Sequence, residues 1–259
     1  MNNEERKPRI AVVHDHLGFC GGGEKTSLII ATELGADYIT AYSHADTFPE
    51  YQKKLGNKLI ILFDKSINTR VVRFFWLRSL FWKNRKIFRN YDILIASGQT
   101  ATEVVSKYAV AKTTKIIYTH STPRRVFDQF ENSRLMYPWY LRLPYQIFAK
   151  FWKYLYLNAI HKYDYNIANS ECVSRRVQEH TGGDANEVIW PPIVTEKFKW
   201  IGQENYFLSW ARVDEAKRVE LVVKAFQLMP DKKLVVASGG PRLARVKELA
   251  KNYANIEVI

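Results

Sequence analysis

The chain has 259 residues, of which 47% are hydrophobic, so it has enough apolar material for packed cores and for about two domains. Its formal net charge is +13. Basic residues interrupt every long apolar stretch, and no run of 18 apolar residues remains to span a membrane. Cys20 and Cys172 lie in separate predicted units, which argues against a disulfide framework, and no signal peptide is recognised. We therefore expect a cytoplasmic protein.

The first predicted unit is a strand, a glycine turn and a helix. Residues 9–13 form an apolar run typical of a buried parallel strand, and residues 21–24, GGGE, precede an amphipathic helix. The dinucleotide fingerprint GxGxxG is absent, but the glycines allow a ligand to approach backbone N–H groups closely. His14 and His16 could be metal ligands, although no third His or Cys stands at a suitable spacing. The alternative is that they are polar residues at the carboxyl end of the strand, where open α/β sheets bind ligands.

Two later strands also end in polar residues. Residues 115–128, KIIYTHSTPRRVFD, predict a strand that delivers His120 to a loop closed by Pro123. Such a histidine is well placed to meet a substrate, or it is simply satisfied by nearby backbone groups. A further strand ends at Asn169 and Ser170, which are typical of a helix start. Trp190, Pro191 and Pro192 then predict a hinge, with a domain boundary near residue 195.

The segment 206–241 predicts another strand, turn and helix. Arg212 and Lys217 stand in the turn, and the following helix is indicated by apolar residues spaced for one face: Val219, Val222, Val223 and Phe226. A helix N-terminus offers free N–H groups and the positive end of the dipole, so two added cations favour a diphosphate site. The alternative is a solvated charged turn.

The positive charge is concentrated in two segments. Residues 65–90 carry eight Lys or Arg and residues 134–163 carry five, with no acidic residue in either. At helical spacing, Phe75 and Trp82 share an arc with four cations: Arg78, Arg85, Lys86 and Arg89. Rings and cations on one face favour binding to an anionic membrane surface. Stacking on nucleic acid and a plain basic surface or partner interface are the alternatives, and we expect no nucleic acid.

Taken together, these segments resemble the family 4 glycosyltransferases of the GT-B fold, and more narrowly their mannosyltransferase-like members. The matching pieces, in the family's order, are GGGEK at 21–25, YTHSTPRRVFD at 118–128, IANS at 167–170, VIWPPI at 188–193, ARVDEAKRVELVVKAF at 211–226 and SGGP at 238–241. The resemblance implies an α/β protein with an N-terminal acceptor-side Rossmann-like domain at 1–195, whose sheet is parallel. It also implies the beginning of a nucleotide-sugar domain at 196–259.

The resemblance also implies what the site residues do. Arg212 and Lys217 would bind the donor diphosphate and stabilise it as it leaves, in place of a metal or other cofactor. Gly239 and Gly240 would line the donor site, and an acidic residue often stands between these glycines in the family. His120 would act on the sugar or the incoming hydroxyl, with Gly22, Gly23 and Glu24 opposite the phosphates. The donor would be GDP-mannose or a UDP-sugar, and the acceptor a lipid-linked or polysaccharide glycan at the inner face of the cell membrane, with retention of anomeric configuration.

One departure from the family concerns the end of the chain. In the family, the second domain continues into a loop with two glutamates that hold the donor, whereas this sequence ends at Ile259. We therefore expect low activity from this chain alone. The competing interpretation is a truncated or partner-completed module that binds membrane and acceptor without catalysis.

Overall fold

The computed structural model describes residues 6–65 and 70–259. They form two compact units, Met1–Ile193 and Val194–Ile259, called unit 1 and unit 2 below. The break follows the Trp190-Pro191-Pro192 segment, in which a hinge is predicted.

Unit 1 is built on a parallel sheet, with seven strands in the described residues. In chain order they are β1 Ile10–His14, β2 Asp37–Thr40, β3 Leu59–Ile61, β4 Ile93–Ser97, β5 Thr114–Thr119, β6 Tyr165–Ala168 and β7 Glu187–Val188. Their order across the sheet is β3-β2-β1-β4-β5-β6-β7, and every pairing is parallel. Because the order reverses direction between β1 and β4, the carboxyl ends of these strands are the expected place for a ligand.

Helices connect these strands and cover both faces of the sheet. They are α1 Gly22–Glu33, α2 Pro49–Leu55, α3 Arg70–Lys83, α4 Gln99–Tyr108, α5 Phe130–Leu135, α6 Trp139–Ile160 and α7 Glu171–Thr181. Side chains alternate along each strand. Ala11 and Val13 therefore pack with Leu80 and Val104 of α3 and α4, whereas Val12 packs on the other face with Leu28 of α1.

Unit 2 repeats the same alternation on a smaller scale. Its elements are β8 Phe207–Ser209, α8 Val219–Gln227, β9 Leu234–Val236, α9 Leu243–Ala250 and β10 Ile256–Val258. The strands pair in parallel in the order β10-β9-β8. The buried core of unit 2 joins Val223 and Phe226 of α8 to Leu234 of β9 and Val246 of α9.

The α/β class and the parallel sheet predicted from the sequence are confirmed. The predicted helix start at Ser170 is also confirmed, since the Ser170 hydroxyl accepts a hydrogen bond from the Val173 amide at 3.3 Å. Two local predictions were wrong. Gly22, Gly23 and Glu24 belong to the first turn of α1 rather than to a preceding loop.

The second wrong prediction is the helical arc on which Phe75 and Trp82 share a face with Arg85, Lys86 and Arg89. Helix α3 ends at Lys83, and a 3₁₀ turn, Arg85–Asn90, follows. Asn84 stands between them with its side-chain amide donating to the Leu80 carbonyl, a local hydrogen bond that competes with helix continuation. Arg85, Lys86 and Arg89 therefore do not continue the helical arc of Phe75 and Trp82. Residues 66–69 of this segment lie outside the described residues.

Candidate functional site

A cavity of about 260 Å³ lies in unit 1 at the carboxyl ends of β1 and β5, beside the start of α4. Its lining includes the polar side chains of His14, Asp15, His16, Glu24, His120 and Tyr156. At roughly 30 Å³ per molecule, the volume would hold about nine waters or one small polar group. The described residues contain no group of three or more His, Cys, Asp or Glu side chains able to hold a metal ion.

Asp15 caps a helix that begins 84 residues later in the chain. Its carboxylate accepts hydrogen bonds from the amides of Gln99, Thr100 and Ala101 at 3.1, 3.2 and 2.7 Å. A negative charge is stabilising there, because the first amides of α4 lack helical partners. Gly98 precedes the helix with φ +140°. A Cβ atom at this position would overlap the Asp15 carboxylate, so a glycine is needed here. The N-terminus of α4 is therefore occupied by the protein's own carboxylate.

Three buried side chains lead from α1 to His120. Oε1 of Glu24 lies 3.9 Å from Nε2 of His14, and Nδ1 of His14 lies 3.3 Å from the Ser97 hydroxyl. The same hydroxyl lies 2.8 Å from Nε2 of His120. The ring of His120 also contacts Tyr118 edge-on and lies beside Gly23. His120 is thus held by a side-chain network, not by local backbone.

The electrostatics of the cavity favour neutral imidazoles next to a carboxylate. Burial, followed by the nearby His14, lowers the pKa of His120 to about 4. Burial also lowers the pKa of His16 to about 4, against an opposing effect of Asp15. For Glu24, burial alone would raise the pKa, but the hydrogen bond and charge of His14 offset this and the pKa is lowered. Near neutral pH the cavity therefore contains uncharged His16 and His120 and ionised Glu24.

Two buried polar atoms of this cavity have no hydrogen-bond partner among the described residues: Nδ1 of His16 and the hydroxyl of Tyr156. The His16 ring is held by stacking on Tyr42, with the centroids 4.9 Å apart. A buried polar group without a partner costs about 1–3 kcal/mol. Water or the hydroxyl groups of a ligand would relieve this cost, which fits a cavity that binds a polar molecule.

The second candidate site is the turn of unit 2 between β8 and α8. Asp214 organises this turn, because its Oδ1 accepts the Lys217 amide at 3.0 Å and its Oδ2 lies 3.9 Å from Nε of Arg212. The side chain of Arg212 is 69% exposed, and Lys217 is exposed as well. Arg218, the next residue, takes a left-handed conformation with φ +51° immediately before α8. The two predicted cations are thus available to a ligand on a fixed backbone.

The glycine loop 238–241 is attached to the same turn. Val213 donates its amide to the Gly239 carbonyl at 2.9 Å and accepts the Arg242 amide at 3.1 Å. Gly240 has φ +155°, and a Cβ atom there would overlap the backbone of Val213, whereas one on Gly239 would meet open space. The structure therefore brings Arg212, Lys217, Gly239 and Gly240 together within unit 2.

Within unit 1, the structure places His120 near Gly23 and, through Ser97 and His14, near Glu24, whereas a Cβ atom on Gly22 would face open space. Their part in binding and catalysis stays a prediction.

Sequence reasoning missed Asp15, Ser97, Tyr156 and Asp214. Asp15 and Ser97 each stand at the end of an apolar strand run, a signal that could have found them. Tyr156 lies inside α6 among many aromatics and gave no such signal.

A third feature is a basic and aromatic surface on α3 and α6, called the α3/α6 face. Phe148 of α6 packs against Phe74 and Phe75 of α3, with centroid distances of 4.8 and 6.3 Å, so the two helices form a continuous surface. Phe75 and Trp82 are each 51% exposed. Along α6, apolar side chains are also exposed at helical spacing: Trp139, Tyr140, Leu143, Ile147, Phe151 and Tyr154. No helix of the described chain is long and apolar enough to cross a membrane.

Arg78 does not contribute a free charge to this face, contrary to the sequence prediction. Its guanidinium pairs with the buried carboxylate of Glu103 through two hydrogen bonds and donates to the Phe74 carbonyl at 2.7 Å. It also lies over the Phe74 ring. Arg78 therefore ties α3 to α4 and is part of the packing.

The comparisons with known proteins agree on the fold. No protein-family model and no curated protein match the sequence. Anabaena HepE, solved with UDP, superposes with a TM-score of 0.63 at 15% identity, over 97% of this chain and 68% of HepE. A point mutant of S. aureus TarM, solved with fondaparinux, alpha-GlcNAc-glycerol and UDP, gives 0.60 at 9% identity over 97% and 77%. A glycosyltransferase from Rickettsia africae gives 0.56 at 15% identity over 98% and 68%. The fold is that of GT-B glycosyltransferases.

Proposed function

We propose that this protein is a retaining glycosyltransferase. It transfers a hexose, with mannose as the first candidate, from a nucleotide-sugar to a lipid-linked or polysaccharide acceptor. The observation that carries the proposal is the turn before α8, where Arg212 and Lys217 are exposed on a backbone fixed by Asp214 and by the glycine loop. The GT-B fold and the structures of HepE and TarM with UDP support a nucleotide-sugar donor.

The chemistry follows from where charge develops. As the bond between the anomeric carbon and the diphosphate breaks, negative charge grows on the leaving phosphate oxygens. Arg212 and Lys217 stabilise that charge, and fixed cations do so better than mobile solvent. His120 is neutral near neutral pH, since its pKa is about 4, so it acts on the sugar or the acceptor by hydrogen bonding and not as a cation. Retention of configuration is what the resemblance to family 4 implies.

We place the acceptor reaction at an anionic membrane surface, with the α3/α6 face as the contact. A helix that lies on a bilayer buries its rings among the headgroups, and each nearby cation adds about 1 kcal/mol of attraction. On this face Phe75, Trp82 and the apolar residues of α6 are exposed together with basic residues such as Lys83 and Lys150. A contiguous patch of exposed aromatic rings is typical of an interaction surface and not of a surface that contacts only water.

The test is release of nucleoside diphosphate and transfer of labelled sugar from GDP-mannose and from UDP-glucose, with lipid extract or glycan as acceptor. We expect low but acceptor-dependent release with one of the donors, and its loss when Arg212 and Lys217 are both replaced by alanine. Vesicle binding without any nucleotide binding would instead favour the non-catalytic membrane module. Equal release by wild type and the double variant would remove the proposed phosphate site.

A further inference from the structure

A second cavity of unit 1, called the α4/α6 cavity here, lies between helices α4 and α6. Its volume is about 370 Å³, against about 260 Å³ for the cavity around His120. The lining comes from α4 between residues 103 and 108, from α6 between residues 151 and 159, from Arg78 of α3 and from Lys162 just after α6. None of these residues lines the cavity around His120, so the α4/α6 cavity is a separate place for a ligand.

The apolar part of the α4/α6 cavity continues the α3/α6 face. Val104 and Ala159 are almost fully buried, and their short side chains leave space between the two helices. Phe151 and Leu155 stand one helical turn apart on α6, line this space and remain partly exposed. Ile147, one turn earlier, is exposed as well. An apolar row therefore runs from the α3/α6 face into the cavity, where the apolar chain of a ligand would cover it.

The charged part of the α4/α6 cavity is positive. The lining holds three cations, Arg78, Lys107 and Lys162, against one carboxylate, Glu103. Arg78 and Glu103 neutralise each other through their two hydrogen bonds. Lys107 and Lys162 are exposed and form no ion pair in the described part of the chain. Each lysine stands near the carboxyl end of a helix, where a cation is favourable, so the lysines alone would not indicate a ligand. Their place beside an apolar cavity does.

We propose that the α4/α6 cavity binds one anionic phospholipid of the membrane surface, with its phosphate between Lys107 and Lys162 and an acyl chain against Phe151 and Leu155. Two unpaired cations beside an apolar cavity complement a molecule that has an anionic head and an apolar tail. A free phosphate or an acidic peptide would use the lysines and leave the apolar row uncovered. The membrane as the source of the lipid rests on the proposed membrane contact, whereas the cavity and its charges do not.

The test is calorimetric titration of the protein with dihexanoyl phosphatidylglycerol, a short-chain anionic lipid, kept below its micelle concentration so that no membrane is present. We expect the wild type to bind it at least about tenfold more tightly than dihexanoyl phosphatidylcholine, whose head has no net charge. Inorganic phosphate and hexaglutamate should also bind at least about tenfold more weakly, because neither brings an apolar chain to the cavity.

Two kinds of variant separate the head from the chain. Lys107→Gln with Lys162→Gln should weaken binding of the anionic lipid about tenfold or more, because both cations are lost. The matched control is Lys53→Gln with Lys54→Gln, which removes two exposed charges from α2 on the other face of the sheet.

The variant for the chain is Leu155→Trp, which keeps the charge and fills the cavity from a partly exposed position. It should weaken binding of the short-chain lipid about tenfold or more. The matched control is Leu34→Trp, at the exposed end of α1. Circular dichroism checks that each variant folds, and the lysine variant, which changes only exposed side chains, serves if Leu155→Trp does not.

The proposal is overturned if the wild type does not bind the short-chain anionic lipid, or if it binds the uncharged-head lipid, phosphate or hexaglutamate equally well. Wild-type affinity in the folded lysine variant would overturn it too. Flotation with anionic vesicles tests the membrane contact separately. Binding to vesicles without binding of the short-chain lipid removes the cavity site and leaves the membrane contact, whereas the opposite result supports the cavity site and removes the membrane contact.

Discussion

Val213 and Gly240 are in such close backbone contact that no side chain fits at position 240. Val213 is buried, exchanges hydrogen bonds with both sides of the glycine loop, and stands between Arg212 and Asp214. The contact therefore links the glycine loop to the turn that carries the two exposed cations. It explains a glycine at 240 by packing, not by ligand contact.

Gly240→Ala should destabilise unit 2, because the added Cβ overlaps the Val213 backbone and φ +155° is strained for alanine. We expect a loss of about 2 kcal/mol or more in the free energy of unfolding, measured by urea denaturation. Gly239→Ala is the matched control, since a Cβ there meets open space. Equal stability of the two variants would contradict the close contact.

Acid should weaken unit 1 through His16 and His120. Both have a folded-state pKa of about 4 against 6.5 in the unfolded chain, so between these values the unfolded chain binds more protons and stability falls as the pH falls. The expected loss is on the order of 2 kcal/mol per ring at about pH 5 relative to pH 7.5. Denaturation measured between pH 7.5 and pH 5 tests this loss of stability. Glu24 stays ionised over this pH range, because its pKa is lowered.

The matched variants for this effect are His120→Gln and His161→Gln. Removing His120 should reduce the slope of stability against pH. Removing His161, an exposed residue whose side chain makes no hydrogen bond or ion pair in the described chain, should leave the slope unchanged. A wild-type stability that does not change with pH between 7.5 and 5 would show that the two rings are not buried in the neutral form.

Membrane binding should depend on the rings of the α3/α6 face. Phe75→Ser with Trp82→Ser should weaken binding to anionic vesicles by about tenfold or more in a flotation assay, because two exposed anchors are lost while the net charge is kept. Phe198→Ser with Trp200→Ser removes two exposed rings from unit 2 and is the control. Added salt should weaken wild-type binding, since surface attraction is screened over about 8 Å at physiological ionic strength.

Nucleic-acid binding would also be sensitive to salt, so the ring variants decide between the two partners. Binding of the double ring variant to anionic vesicles at the wild-type level would contradict the membrane contact. So would a preference of the wild type for single-stranded nucleic acid over vesicles in direct competition.

Removing one of the two cations in the turn between β8 and α8 should slow catalysis more than it weakens binding of the nucleotide-sugar. Arg212→Ala and Lys217→Ala should each lower kcat by on the order of 10²-fold, as loss of one fixed donor to a developing charge does. Lys224→Ala, near the end of α8, is the matched control. An unchanged kcat in both variants would show that the leaving group is stabilised elsewhere.

The parts of the site that the sequence predicts are those formed by neighbours in the chain. The end of β5 at His120 and the turn with Arg212 and Lys217 follow from local periodicity, because strand and helix signals flank them. The end of α3 was missed because Asn84, rather than Gly or Pro, marks it. The free charge assigned to Arg78 was wrong because its partner, Glu103, is 25 residues away and reaches it only through packing of α3 on α4.

Long-range contacts account for the rest. Asp15 reaches the start of α4, and His14 reaches Ser97 across 83 residues, through the pairing of β1 with β4 in parallel register. No local sequence pattern around Asp15 or His14 indicates which distant residue its side chain contacts.

Nucleotide binding measured by isothermal titration calorimetry tests the central claim most directly. We expect the wild type to bind UDP or GDP, and the double variant Arg212→Ala, Lys217→Ala to bind it at least 10²-fold more weakly, since two charge-assisted contacts to the diphosphate are removed. UMP and GMP should bind weakly to both proteins, because they lack the second phosphate. The account is contradicted if neither nucleoside diphosphate binds the wild type, or if the double variant binds it with wild-type affinity.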